Sequence, residues 1–197
     1  ARKRTVTLET PRLGLRNRRA DDRDLFREIN RDPKDMEFLP YRHTHAEADA
    51  MLERLSAMVA ETGLGFYAVE AKDLAEPIGF CGLSRANLAP LLPGDTVEIG
   101  WRLATRFWGH GYVTEAAAAL IEFGFRDKGL SEIVAFAVEA NRRSISVMER
   151  IGMRRDPAGD FDHPRVPDSH PQLKRHVLYR IARPASGHRS SDPPFAG

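Results

Sequence analysis

The sequence predicts a single-domain α/β protein built on a mixed sheet. Three observations carry this reading. Strand-like stretches interleave with helical ones along most of the chain. Three successive strand candidates precede a strand–helix–strand unit, so antiparallel hairpins and one parallel crossover are both expected. The 197 residues are enough for one domain with a real core.

Residues 10–16 alternate apolar and charged side chains, as a half-buried strand does. Residues 20–30 read as a short helix with Leu25, Phe26 and Ile29 on one side. Thr44 and Glu47 form a capping box, so a helix should start there. Its apolar stripe is Ala48, Met51, Leu52, Leu55, Met58 and Val59, and Gly63 should end it. Strands are expected at 65–70, 78–83 and 97–103, joined by segments rich in Pro, Gly and Asp. A long helix should run over 112–128, with Gly129 as its stop. Residues 133–138 are a continuous apolar run, as in a buried central strand. Asn141 should cap a helix ending near Gly152, and 177–182 should form a last strand.

Between these, residues 154–176 carry Pro157, Pro164, Pro167 and Pro171 and read as a long loop. A loop of that length is either functional or an insertion that covers an edge. The domain is expected to span 9–183. Residues 1–8 form a tail or edge segment, and the Pro, Ser, Gly and His composition of 184–197 is that of a disordered tail.

Composition narrows the class. Apolar residues make up 42% and charged residues 29%, and the net charge is +2, so nothing points to a nucleic-acid partner. The basic start, Arg2-Lys3-Arg4, reads as a solvated tail. A single cysteine, Cys81, excludes an internal disulfide and suits a reducing compartment. No membrane-length apolar run and no signal peptide are visible, so the cytoplasm is the expected location, with no membrane partner. The histidine pairs His43/His45 and His163/His170 lack cysteine partners and helical spacing, so no metal is expected.

The densest signal is the run from Phe107 to Ala116, F-W-G-H-G-Y-V-T-E-A. A strand, a tight glycine turn and a helix start, in that order, make an anion site. Unpaired amides converge there and the helix dipole adds positive potential. Gly109 and Gly111 let backbone approach a phosphate without an intervening side chain.

These residues resemble the GCN5-related N-acetyltransferases. Trp108 to Ala116 is similar to that family's W-G-x-G-Y-A-T-E-A, and Glu98-Ile-Gly-Trp-Arg-Leu103 to its E-I-G-Y-W-L. Asn141-Arg-Arg-Ser144 with Gly152-Met153, and Ile78 to Leu83, match two further elements. The branch most resembled includes the ribosomal-protein N-terminal acetyltransferases. The resemblance implies a mixed, mostly antiparallel sheet splayed in its middle and flanked by helices. It implies transfer of acetyl from acetyl-CoA to a primary amine, on a small molecule or a protein N-terminus, by direct attack in a ternary complex. Cys81, in an apolar strand, reads as a core residue and not as an acetyl carrier.

Carried onto this chain, the cofactor residues are Leu103, Trp108, Gly109, His110, Gly111, Tyr112, Val113, Thr114 and Asn141. Val113 stands where the family has Ala or Gly, and Trp108 where many relatives have Arg or Gln. His110 either faces the phosphates or sits in solvent. Pantetheine amides would add to the strand ending near Leu103 like a short β-strand. Gly100 would permit a bulge there, or else relieve packing under Trp101.

Glu98 is the base candidate, through a water, and its alternative is a glutamate paired with an arginine on a solvated face. Ser144 is the acid candidate, and its alternative is a local role in its own helix. Tyr112 is a further acid candidate, or a packing residue. Phe38, Tyr41, Asp160 and His163 could line the acceptor pocket. A lysine amine, with pKa near ~10.4, costs roughly 4.6 kcal/mol to deprotonate at pH 7, and an α-amino group, near ~7.7–8.0, only about 1.4. A different class remains open: a non-catalytic acyl-CoA sensor. A homodimer through the last strand or the Pro-rich loop also stays open.

Overall fold

The computed structural model describes residues 6–40 and 44–185. Nine strands form one sheet: β1 Val6–Glu9, β2 Leu13–Arg16, β3 Gly65–Ala71, β4 Glu76–Arg85, β5 Val97–Leu103, β6 Glu132–Val138, β7 Arg154–Arg155, β8 Phe161–Asp162 and β9 Arg175–Ala182. Four helices flank it: α1 Arg23–Arg31, α2 His45–Thr62, α3 Tyr112–Arg126 and α4 Arg142–Arg150. The sheet order is β1-β2-β3-β4-β5-β6-β9-β7, with β8 pairing β9. Every pairing is antiparallel except β5 with β6.

That exception positions the site. The parallel pair is in register only at Glu98 and Val134. Past it the ladder stops, and residues 99–103 face residues 136–138 across an open cleft. The sheet is therefore splayed in its middle.

Period-2 alternation sorts the strand residues onto two faces. Val97, Ile99, Trp101 and Leu103 of β5 join the main core with Ala117, Leu120 and Ile121 of α3. Glu98, Gly100 and Arg102 take the other face, where Arg102 donates to Asn30 Oδ1 of α1 at 2.9 Å. Phe80, paired with Arg102, meets Phe26 of α1 edge-on at 5.3 Å. So α1 covers one face and α3 the other. A smaller core of Ala86, Leu88, Leu92, Val134, Phe161 and Leu178 lies under the segment that follows α4.

Local chemistry explains the boundaries. Thr44 Oγ1 accepts from the Glu47 amide at 3.2 Å, and Glu47 Oε2 accepts from the Thr44 amide at 2.8 Å. Gly63 closes α2 with φ +67°. Of the expected stripe, Ala48 and Leu52 are buried, while Met51, Leu55 and Val59 pack at the core's margin.

Four expectations need correction. Residues 10–16 are not one strand: Pro11 cannot donate, the Thr10 amide turns back to Leu13 O at 2.9 Å, and a β1–β2 hairpin results. The helix expected over 20–30 starts as a 3-10 turn, Ala20–Asp22, because Asp22 accepts the Arg19 amide at 2.7 Å. The long helix ends at Arg126. Residues 154–176 are not structureless, since β7 and β8 pair with β9 across them. The tail beyond 185 and the start before 6 lie outside the described residues.

A buried ion cluster ties β2, β3 and α1 together. The Arg16 guanidinium donates twice to Asp22, at 2.8 Å each, and Nε donates to Glu70 at 2.9 Å. Burial opposes the Arg16 charge, and its bonds to Asp22 and Glu70 outweigh it, so its pKa rises. Arg16 is 3% exposed and Asp22 1%. Removing one member strands a buried charge, at about 3–5 kcal/mol. Asp22→Ala is therefore expected to lower the thermal midpoint sharply. Arg18 makes the contrast. Its guanidinium nitrogens are buried with no hydrogen-bond partner, and burial pulls its pKa to about 10. Arg18→Met should hold or raise the midpoint in the same melt.

Candidate active site

The α3 helix begins without a side-chain cap. Its N-cap is Gly111 at φ +75°, and Gly109 lies at φ +85°. A side chain at either position would be strained. The first amide accepted inside this turn is that of Glu115, by Gly111 O at 3.1 Å. Among the described residues no backbone carbonyl takes the amides of residues 109–114. A Cβ on Gly109 would meet nothing within 4 Å. Five of these residues, Gly109, Gly111, Tyr112, Val113 and Thr114, border a cleft at the positive end of a 15-residue helix.

A brace holds this turn. Arg12 Nε donates to Glu115 Oε1 at 2.8 Å, and its Nη1 donates to His110 O at 2.9 Å. The same guanidinium lies 4.6 Å from the Tyr112 ring centroid. Glu115 Oε2 also accepts from the Arg12 amide and from Thr10 Oγ1. Burial would raise the Glu115 pKa, but the bonds from Thr10 and Arg12 outweigh it and hold the carboxyl below its usual range. Arg12→Ala should leave the chain folded and loosen the turn. An anionic ligand held by these amides should then bind about 10-fold more weakly, as titration calorimetry would read.

The turn opens onto a cleft of about 940 Å³. Of the residues singled out from sequence, Phe38, Leu103, Trp108, Gly109, Gly111, Tyr112, Val113, Thr114, Asn141, Ser144 and His163 all line it. Trp108 Nε1 donates to Leu103 O at 2.9 Å, and the Arg143 guanidinium lies over the Trp108 ring. Asn141 caps α4, its Oδ1 accepting the Ser144 amide at 3.3 Å. The Ser144 hydroxyl accepts from Trp101 Nε1 at 3.4 Å.

The others fall elsewhere. The His110 side chain is exposed and packs on Tyr112, ring centroids 5.6 Å apart, outside the cleft lining. Asp160 does not reach the cleft. It accepts from Arg155 Nη2 at 2.7 Å and from the Leu178 amide at 3.1 Å, which anchors the chain after β7 to β9. Tyr41 lies outside the described residues. Gly100 makes room for Phe66, whose Cζ would stand 2.8 Å from an added Cβ; Trp101 points to the opposite face.

Glu98 sits at the closed end of the splay, beside Ser84 and Val134 and one step below Gly100 on the same face. Burial pushes its pKa up to about 7, against the opposing pull of Arg165 and a hydrogen bond from Ser84. Ser144 and Trp101 lie on the other face. The cleft is thus a slot between the two halves of the sheet, with the Ser144 hydroxyl in its lining, while the Glu98 carboxylate lies outside that lining, one step below Gly100.

Sequence reasoning missed three neighbours. Asp35 accepts from Thr105 at 3.1 Å and is pushed up to about 6 by burial. Phe136 and His176 line the cleft from β6 and β9, where strand residues read simply as core.

A splayed mixed sheet with an uncapped glycine-turn helix at its open cleft defines the class, an α/β domain with an anion-binding mouth. The comparisons give the particular family. Residues 12–154 match the family model described as the acetyltransferase (GNAT) domain, and the chain belongs to that family. Its acetyl donor is acetyl-CoA. The Bacillus licheniformis protein named "uncharacterized N-acetyltransferase p20" is 28% identical over 153 residues, 76% of this chain and 83% of that one. The Bacillus subtilis protein YkkB is 36% identical over 92 residues, 46% of this chain, and the match spans about half, 51%, of its length. The crystal structure of an acetyltransferase from Agrobacterium tumefaciens superposes with a TM-score of 0.70 at 28% identity, covering 89% of this chain and 94% of that one.

The residues present fit that donor. The free amides at Gly109 to Thr114, with Arg142 and Arg143 beside them in the lining, suit a diphosphate. Among the described residues no helix is long and apolar enough to cross a membrane.

Proposed function

We propose that this chain is an N-acetyltransferase that moves acetyl from acetyl-CoA to a primary amine by direct attack in a ternary complex. The observation that carries the proposal is the slot, with unpaired amides at one mouth, Ser144 in its lining and Glu98 just beneath it at the end of the β5–β6 ladder. Bound acetyl-CoA supplies a thioester whose carbonyl carbon the amine attacks. The chain's own residues do the rest. The amides of residues 109–114 hold the diphosphate. Asn141 and Trp108 border the arm. The backbone near Leu103 pairs with the arm; the Leu103 carbonyl keeps a second lone pair beside the bond from Trp108.

As the C–N bond forms and the C–S bond breaks, Glu98 takes the amine proton through a water. Ser144, whose oxygen accepts from Trp101, donates its hydrogen toward the leaving sulfur, and solvent restores it. A base titrating near 7 sits about one unit below an α-amino group, a cost of roughly 1.4 kcal/mol. A lysine amine would cost more than three times as much. Low-pKa amines, including peptide N-termini, are therefore the better acceptors. The motif from Trp108 to Ala116 supports placement in the branch with the ribosomal-protein N-terminal acetyltransferases. We place the domain at 9–183, and the cytoplasm as its location.

A thiol-release assay over a broad amine panel tests this. Turnover with at least one low-pKa primary amine, lost in Glu98→Gln with coenzyme A binding kept, is the expected result. Coenzyme A binding with turnover on no amine would favour a non-catalytic sensor.

A further inference from the structure

Three rings wall the acceptor face of the slot. The Phe136 centroid lies 5.8 Å from His163 and 6.1 Å from His176, and the two imidazoles are 4.9 Å apart. Phe161 backs the wall, stacked on His176 at 5.7 Å. Opposite, Phe66 crosses over Gly100, a position that only a residue without a Cβ leaves open to it. Phe38 lines the same cleft from the segment after α1.

Polarity sharpens this picture. His163 Nδ1 accepts the Arg165 amide at 3.2 Å, so its neutral ring carries the proton on Nε2. His176 Nδ1 faces Lys174 O at 2.8 Å, so it is the protonated nitrogen and Nε2 is an acceptor. Burial, with the nearby His176 and Arg165, lowers the His163 pKa to about 4, and burial lowers that of His176, so both are neutral at pH 7. The wall therefore offers π faces, one N–H and one lone pair, and no charge. The charged groups around it are mostly basic. Asp35 is the one carboxylate lining the cleft among the described residues, against Lys34, Arg102, Arg142, Arg143 and Arg150. Glu98 lies beneath, with Arg165 nearby. A polycation would meet net positive lining and find no row of carboxylates.

We infer that the acceptor carries its amine on a flat, uncharged aromatic or heteroaromatic body, seated between Phe66 and the wall of Phe136, His163 and His176. This rests on the acetyltransferase reading and names its substrate class. Stacking on such rings contributes through face and edge contact that an aliphatic chain of equal length lacks.

The test compares tryptamine and 2-phenylethylamine with hexylamine and spermidine. Thiol release gives kcat/KM, and calorimetry on the coenzyme A-loaded protein gives affinity whether or not turnover follows. The aromatic amines should exceed both others at least 10-fold in either readout. Phe136→Leu and, on the half-exposed loop, His163→Ala should each erase most of that margin through KM or Kd, with coenzyme A affinity retained. Hexylamine or spermidine matching the aromatic amines would overturn the inference, as would a margin unchanged in both variants. Absence of coenzyme A binding would instead sink the acetyltransferase reading itself.

Discussion

Glu98→Gln is expected to remove most turnover and, at the same time, to stabilise the folded chain at pH 8. The two effects share one cause. Burial beside Val134 raises the Glu98 pKa from 4.5 to about 7. Below pH 4.5 the carboxyl is neutral in both folded and unfolded chains, so it carries no penalty. Between 4.5 and 7 the unfolded chain releases the proton first, and the penalty grows. Above 7 it is fully present, at about 3 kcal/mol. Glutamine is neutral at every pH and escapes it. The melting midpoint of Glu98→Gln should exceed that of the parent at pH 8 and converge with it near pH 4.5. Turnover should fall by about 10²–10⁴, the usual worth of a general base. In the parent, kcat/KM for a low-pKa amine should climb with pH through about 7 as Glu98 ionises. A midpoint lower at pH 8, or activity within a few-fold of the parent, would remove Glu98 from the mechanism.

Gly111→Val should cost binding far more than stability. At φ +75° a β-branched residue is a steric outlier, and relief of that strain moves the amides of the following turn. Losing two or three hydrogen bonds to a charged phosphate, at about 1.5–3 kcal/mol each, weakens coenzyme A by at least 10²-fold. Gly129 supplies the control. It has φ +65°, nothing within 4 Å of an added Cβ, and no place in the cleft. Gly129→Val should lower the midpoint by a similar amount and leave coenzyme A affinity alone. Equal affinity losses in both variants would mean that the turn acts only through fold stability.

Local signals in this chain are legible because local chemistry sets them. Thr44 with Glu47, Gly63, Asn141 with Ser144, and the Gly109–Gly111 turn each need residues within four positions of one another, and each falls where the spacing put it. Glu98 also falls on the face its parity assigned, opposite Val97, Ile99 and Trp101. What stayed hidden is long-range. The Arg12–Glu115 brace joins residues 103 apart in sequence. β7 and β8 are two residues long, too short to show a period, and only β9 makes strands of them. Phe136 and His176 alternate within strands as core residues do. Only the splay past Glu98 and Val134 turns their face into a cleft wall, and no residue type announces where a parallel ladder stops.

The central claim is that main-chain amides at the start of α3 hold a diphosphate. Calorimetric titration of the intact chain with coenzyme A and, separately, with pantetheine tests it most directly, since pantetheine keeps the arm and lacks the diphosphate. Coenzyme A should bind at least 10²-fold more tightly, the difference that two charged hydrogen bonds supply. Equal affinities, or no heat with coenzyme A, would contradict it.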